Sequence, residues 1–561
     1  MTTLVSYATY LLVLVVLVPA TGALLHQILD KESFGRVEKV VYRLIGVQPH
    51  VQQTWRTYAG SALWFSALSL GLVYALLRLQ GSLPFNPRHL GGVSPYVAFN
   101  TAASFVTNTN WQAYAGESTL SYFSQMLALT VQNFVSPAVG MAALLALIRG
   151  LRGERTGKLG NFWVDLTRSI LYVLLPLAFL TAALLVWQGV PQNLDDYTRV
   201  HGIQGFTQLI AQGPVASQVA IKQLGTNGGG FYNANSAHPF ENPTPLTGFI
   251  ELVAIVLLPA ACVDMFGRMV GDRRQGYAIL GTMIVLVVAG VALTSWSEGR
   301  ASLALRSAGI SAESGNLEGK EQRFGSAQSA LWATVTTATS NGSVDSMHDS
   351  YNPLGLLAPM FNMAIGEVAF GGVGSGLYGM MFYVVLTVLL AGLMVGRTPE
   401  YLGKKIGARE VKIALLAILV PFLLVLGLTA ISVLAPFTLQ ARLNDGPHGF
   451  SEVLYAWMSM VGNNGSAMAG LTATNWLYSV GGGVVMLVAR FVPLIAAIAL
   501  GGSLASQRRV PVTVGTLPTG TPLFAGFLTG VVVIVGGLTF FPALTLGPIV
   551  EQLMAKGGNL L

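Results

Sequence analysis

Apolar and polar stretches alternate along the chain on two length scales. The longer scale is set by windows of about 20 residues with few or no charges, lying near 5–25, 58–80, 122–148, 170–188, 246–266, 277–296, 366–395, 411–435, 478–503 and 522–548. Each is long enough to cross a hydrocarbon layer of about 30 Å as a helix. Helices are required, because backbone groups facing lipid must be satisfied within their own segment. Nothing in these windows alternates like a lipid-facing barrel strand. The pattern predicts an all-α polytopic membrane protein with about ten transmembrane helices. No Lys or Arg precedes Lys31, whereas a secretory signal needs a positive amino-terminal region. An uncleaved anchoring helix within 1–30, its amino terminus outside, is therefore expected.

The shorter scale is a repeat. Four polar strings recur at intervals of roughly 115 to 125 residues: TNTN at 107–110, TNGG at 226–229, SNGS at 340–343 and NNGS at 463–466. Aligned by residue type, Thr107, Thr226, Ser340 and Asn463 share a first column. Asn108, Asn227, Asn341 and Asn464 share the second, and Thr109, Gly228, Gly342 and Gly465 the third. Each string follows a short apolar segment, at 97–106, 215–224, 327–339 or 452–461. About 10 to 13 residues make a helix too short to span. Such a segment would dip in from outside and return as extended backbone, which is tolerated at membrane depth only where it is buried in protein or lines a watery path. The expected organisation is an anchoring helix (1–30), four pore units (58–148, 164–270, 276–396 and 410–505) and a final helix (520–550).

Composition agrees: 53% of the 561 residues are hydrophobic and 10% charged, against roughly 25% charged in an ordinary soluble domain. The net charge of +7 does not indicate a nucleic-acid partner, because most Lys and Arg residues sit in alternate short loops. By the positive-inside rule these loops face the cytoplasm and the polar strings face outside. Cys262 is the single cysteine, and the seven histidines lack metal-ligand spacing, so neither a thiolate nor a zinc site is expected.

The strings offer oxygen without charge. Potassium filters replace an ion's water shell with rings of carbonyl oxygens, the best-known from four Thr-Val-Gly-Tyr-Gly loops. Hydroxyl or amide oxygens occupy the first column, and glycine in the third allows backbone conformations that other residues resist. Divalent cations usually recruit carboxylates, and none lies within the strings. Short helices ending at the strings would aim negative dipole ends at a cation. The expected filter residues are Thr107, Asn108, Thr109, Asn110, Thr226, Asn227, Gly228, Gly229, Ser340, Asn341, Gly342, Ser343, Asn463, Asn464 and Gly465, with Thr109 and Asn463 as departures from the pattern. Glu117, Asp345 and Asp349 flank the strings and are read either as cation attractors or as solvated loop charges.

Two ionisable residues stand inside apolar windows, Glu367 and Arg490; charges there are costly and are usually paired or placed on an ion path. Arg490 is expected either to block a straight descent of the cation, with Glu367 as its partner, or to form with Glu367 an ion pair that only holds helices together. Gly371, Gly372, Gly374, Gly376 and Gly379 crowd the same window as Glu367. Each weakens a helix by roughly 1 kcal/mol relative to alanine, permitting either a break that gates the path or simply close helix packing.

Longer strings carry a resemblance. FNTAASFVTNTNWQAYAGE at 99–117, GTNGGGFYNANSAHPFENPTP at 225–245, MHDS at 347–350, FGGVGSGLYGMM at 370–381, GRTPEYLGKKIG at 396–407 and NDGPHGFSEVLYA at 444–456 together resemble the potassium-binding, channel-like subunit of the bacterial Kdp potassium-transporting ATPase. The resemblance implies a multi-pass protein of the bacterial inner membrane that selects potassium from the periplasmic side. It would pass the ion through an intramembrane tunnel, with Gly372 and Gly374 near the gate, to a P-type ATPase subunit, alongside accessory single-span subunits. Gln112 matches a glutamine that the family places at the filter's edge. ATP and magnesium would belong to the partner: this chain has no Asp-Lys-Thr-Gly phosphorylation motif and no Walker loop, and potassium is the one ligand expected, with no organic cofactor. The rival reading is a self-sufficient potassium channel or symporter of the Trk, Ktr and HKT type.

Overall fold

The computed structural model describes residues 2–302, 305–306, 309–310, 315–394, 396, 398–511 and 516–556. Val395 and Arg397, at the end of the seventh expected window and in the following basic loop, lie outside the described residues. Among the described residues, ten helices are long and apolar enough to span: α1 (Thr3–Leu29), α2 (Trp55–Ser82), α4 (Ser124–Arg152), α5 (Phe162–Trp187), α7 (Pro245–Met269), α8 (Arg273–Glu298), α11 (Ser375–Met394), α12 (Ala408–Leu434), α14 (Leu477–Ser506) and α15 (Pro522–Lys556). Four shorter helices precede the polar strings: α3 (Pro95–Val106), α6 (Val215–Leu224), α9 (Gly325–Ala338) and α13 (Gly446–Gly462). The order span, half-length helix, string, span thus occurs four times, with α1 and α15 as end helices. Local chemistry starts these elements: Asn161, Thr244, Asp272 and Thr521 cap α5, α7, α8 and α15 with side-chain acceptors.

Burial separates two rings. The most apolar windows of α4 and α7 are 83% buried, those of α11 and α14 72% and 56%, whereas α2, α5, α8 and α12 stay at 28–33%. The second span of each unit therefore faces the centre and the first faces lipid. Each half-length helix packs against the inward span or the paired helix of the unit before it, α6 on α4, α9 on α7, α13 on α10 (Pro353–Ala364) and α3 on α14, which closes the ring. Small residues permit the closest approach. A Cβ added to Gly150 of α4 would overlap the backbone of Gly501 on α14.

The seventh window is not one helix. α10 ends at Ala364 and α11 starts at Ser375, and between them Gly366, Glu367, Phe370, Gly371 and Gly374 all have positive φ. Apolar composition hid this break because Val368, Ala369, Phe370 and Val373 are buried although not helical.

Ion pairs tie the periphery together. Arg149 of α4 grips both carboxylate oxygens of Asp165 on α5, which also accepts the Tyr58 hydroxyl of α2 at 2.7 Å. On the filter side His448, at the start of α13, meets Asp349 at 3.0 Å through Nε2 and Glu551 of α15 at 2.9 Å through Nδ1. No sequence spacing announces this cluster. Burial alone would lower the imidazole's pKa, but the two carboxylates outweigh it and raise it from 6.5 to about 10. The proton on His448 therefore stabilises the fold fully below pH 6.5, and that contribution is lost as pH rises through about 10. The melting temperature of the purified protein should fall as pH is raised from 7 towards 10, and His448→Gln should flatten that decline; an unchanged slope in the variant refutes the linkage. Separately, Gly150→Leu should lower stability by about 1–3 kcal/mol or more by overpacking, read as a lower melting temperature and a reduced yield of monodisperse protein.

Candidate ion site

α3, α6, α9 and α13 end at the four strings, so their carboxyl-terminal dipoles converge there. Beyond each helix the chain makes the same turn. Thr109 N–H donates to the Ser104 carbonyl at 2.9 Å, Asn227 to Lys222 at 2.8 Å, Asn341 to Thr336 at 3.0 Å and Asn464 to Ser459 at 2.9 Å. Each bond reaches back five residues, which sets the structural columns. Positive φ marks the residue before and the residue after: Asn108 and Asn110, Thr226 and Gly228, Ser340 and Gly342, Asn463 and Gly465.

The first string is therefore displaced by one residue from the alignment by residue type. Thr107 ends α3, where Gly225, Thr339 and Gly462 end the others, and its hydroxyl turns back to Ala103 at 2.8 Å. Asn108, Thr226, Ser340 and Asn463 share the first column, and Thr109 stands with the three middle asparagines. Asn110 occupies the glycine column, with φ 56°, a conformation asparagine tolerates better than most residues. Both apparent departures vanish: Thr109 needs no glycine-like backbone, and Asn463 matches Asn108.

The loops close into a ring in chain order. A Cβ on Gly228 would overlap the carbonyl oxygen of Asn341; Gly342 stands likewise to Asn464, and Gly465 to Thr109. Side chains cross the same seams. Asn108 Nδ2 donates to Thr226 O at 2.8 Å, Asn341 Nδ2 to Lys222 O at 3.2 Å, Ser340 Oγ to Asn463 O at 2.9 Å and Asn463 Nδ2 to Thr109 Oγ1 at 2.9 Å. In loops three and four the middle asparagine folds onto its own loop: Asn341 Oδ1 accepts Ser343 N–H and Asn464 Oδ1 accepts Ser466 N–H. Gly229 lies against the Asn110 side chain. Gln112 binds Gly230 reciprocally, Nε2 to O at 3.0 Å and N–H to Oε1 at 2.8 Å, so it ties loop one to loop two.

Of the flanking acids, one is buried and two are half-buried. Asp345 is fully buried, and burial pushes its carboxyl up to about 7. Glu117 accepts Asn233 N–H at 2.9 Å, and Asp349 belongs to the His448 cluster. Sequence reading missed the support behind loop two. Buried Lys222 of α6 pairs with buried Glu241 and donates to Asn235 Oδ1 at 2.7 Å, while Asn235 Nδ2 donates to Gly228 O at 2.7 Å. A lysine inside the short apolar segment 215–224 was the available signal.

Beneath the ring lies the break between α10 and α11. Val373 N–H donates to Thr226 Oγ1 at 3.0 Å and Gly371 N–H to Ala338 O at 3.0 Å. Gly372 faces Thr226 and Ser340, and a Cβ on Gly374 would meet the Gly140 backbone of α4 at 2.5 Å. A cavity of about 90 Å³ here is lined by Ser340, Asn463, Gly372, Glu367 and Arg490. Glu367 and Arg490 share this cavity without forming the expected ion pair. Both Glu367 carboxylate oxygens and Arg490 Nη2 are buried without a hydrogen-bond partner among the described residues, the kind of exception that calls for an explanation.

A family model described as the potassium-transporting ATPase A subunit matches residues 8–553. The chain is 53% identical over 564 residues to the potassium-transporting ATPase potassium-binding subunit of Rhodospirillum centenum, covering 99% of this chain and 98% of that one. It is 56% identical over 524 residues to the protein of the same name from Rhodopseudomonas palustris, covering 93% and 92%. Among solved structures, the crystal structure of the potassium transporter TrkH from Vibrio parahaemolyticus shares the fold, with a TM-score of 0.50 at 14% identity over 86% of this chain and 95% of that one. Ten spans, a closed ring of four strings and near full-length matches lead to one conclusion: the chain belongs to the potassium-transporting ATPase A subunit family.

Proposed function

We propose that the four loops form a potassium-selective filter and that the chain hands the ion to an ATP-hydrolysing P-type partner. The observation that carries this is the cyclic closure of four neutral loops. Donor oxygens are supplied by Asn108, Thr109 and Asn110, by Thr226, Asn227, Gly228 and Gly229, by Ser340, Asn341, Gly342 and Ser343, and by Asn463, Asn464 and Gly465, with Thr107 at the helix end. Rings of such oxygens substitute for a hydration shell. The relatives' name, a potassium-binding subunit of a potassium-transporting ATPase, supports both the ion and the partner. Gln112 holds the filter's edge by fixing loop two. The pore units 58–148, 164–270, 276–396 and 410–505 with end helices 1–30 and 520–550 sit in the bacterial inner membrane, strings outward, beside accessory single-span subunits. ATP and magnesium bind the partner.

Below the filter, the unpartnered Glu367 carboxylate receives the dehydrated cation in the cavity. Arg490 raises the potential along the straight route, and the segment with Gly372 and Gly374 bars it sterically, so the ion leaves sideways. The rival, a self-sufficient potassium channel or symporter of the Trk, Ktr and HKT type, would conduct without a partner.

In the copurified complex, potassium should stimulate ATP hydrolysis far more than sodium. Gly228→Asp, which puts a side chain onto the Asn341 carbonyl at a positive φ, should raise the half-saturating potassium concentration by about 100-fold or more. Wild-type potassium dependence in that variant sinks the filter. Arg490→Ala should let potassium leak through reconstituted vesicles without ATP; coupling identical to wild type discards the blocking role.

A further inference from the structure

Three seams of the ring close by backbone contact and one does not. At Gly228, Gly342 and Gly465 the absence of a Cβ lets the chain press on the middle carbonyl of the next loop. At the corresponding place in loop one, Asn110 carries a Cβ, which cannot approach Asn227 inside van der Waals distance. This seam is closed by side chains instead. Asn227 Nδ2 donates to Asn108 Oδ1 at 2.7 Å, beside the Asn108–Thr226 and Gln112–Gly230 bonds. Asn110 itself lies against Gly229: a Cβ built there would stand 2.9 Å from Asn110 Cβ and 2.8 Å from its Nδ2. The same Nδ2 donates to Asn133 Oδ1 on α4 at 2.7 Å. Asn110 and Asn133 are buried, at 2% and 0% exposure, and Asn110 Oδ1 has no donor among the described residues. One amide, wedged between the loop-two backbone and the most buried class of span, thus replaces a glycine contact.

We infer that Asn110 is a spacer braced by Asn133, a positioning residue that fixes the width of the seam between the first and second loops and thereby the filter's discrimination among monovalent cations. The inference rests on the filter reading above. Selectivity by cavity size and selectivity by carbonyl field both depend on how far the loops stand apart. Three seams are fixed by contacts that leave no room, so the fourth is where ring width is decided.

The test uses the intact complex, with ATP hydrolysis titrated against potassium, rubidium and ammonium. Asn110→Gly keeps the positive φ accessible but removes spacer and brace. Its half-saturating potassium concentration should rise by about tenfold, and the potassium and rubidium curves should converge. Asn110→Ala keeps the Cβ, and Asn133→Ala removes only the brace, so each should shift the curves less than the glycine variant. Curves in Asn110→Gly that superimpose on wild type overturn the inference; should that variant not assemble, unchanged discrimination in both alanine variants does so. Gly342→Ala separates the two readings. If it abolishes potassium dependence while the Asn110 variants behave as wild type, the filter stands and the spacer falls; if neither changes anything, the filter reading itself fails.

Discussion

On the proposed reading, a dehydrated monovalent cation at membrane depth must be held by oxygens that neither carry charge nor move, and that constraint organises this protein. Neutral carbonyls are weak ligands singly, so several must converge and their backbone must be prevented from relaxing. Here the prevention is steric. Positive-φ glycines at Gly228, Gly342 and Gly465 bring each loop so close to its neighbour that a single methyl group would not fit. Bonds across the seams then lock the loops without supplying net charge.

Everything outside the ring serves that rigidity. The half-length helices place their negative dipole ends at the strings, and the inward spans bury them. Behind the loops charge appears in compensated form. Lys222 with Glu241 fixes loop two through Asn235, and Lys320 pairs with Glu298 at 2.8 Å, both fully buried. Such pairs are weak sources of stability, since desolvation offsets attraction. Their effect here is positional: an ammonium held by a carboxylate can orient Asn235 without adding net field to the ion path.

The spans were legible in the sequence because lipid enforces length and apolarity, and the repeat was legible because four loops face one chemical task. The register of the first loop was not. TNTN contains the Thr-Asn pair twice, so residue type supports two alignments, and only the hydrogen bonds that reach back five residues choose between them. The break before Ser375 showed only as glycine density, since hydropathy scores a buried apolar loop as it scores a helix. The His448, Asp349 and Glu551 cluster was invisible because its members lie about 100 residues apart in sequence and meet only in the fold.

The lower cavity follows from the same constraint applied one step further along the path. On the proposed reading, an ion leaving the filter for this cavity of about 90 Å³ needs a stronger ligand there than a carbonyl. Glu367 is that ligand on the proposed reading, and the absence of an ion pair to Arg490 is what makes it available. Had Arg490 paired with it, the carboxylate would be neutralised and the cation excluded. On that reading the two groups, kept apart in one cavity, do opposite things: the carboxylate draws the ion off the filter, and the guanidinium repels it from the straight descent. The segment 366–374 supplies the geometry for this division. Lashed to the filter's underside through Thr226 and Ala338, it carries Glu367 beneath the ring.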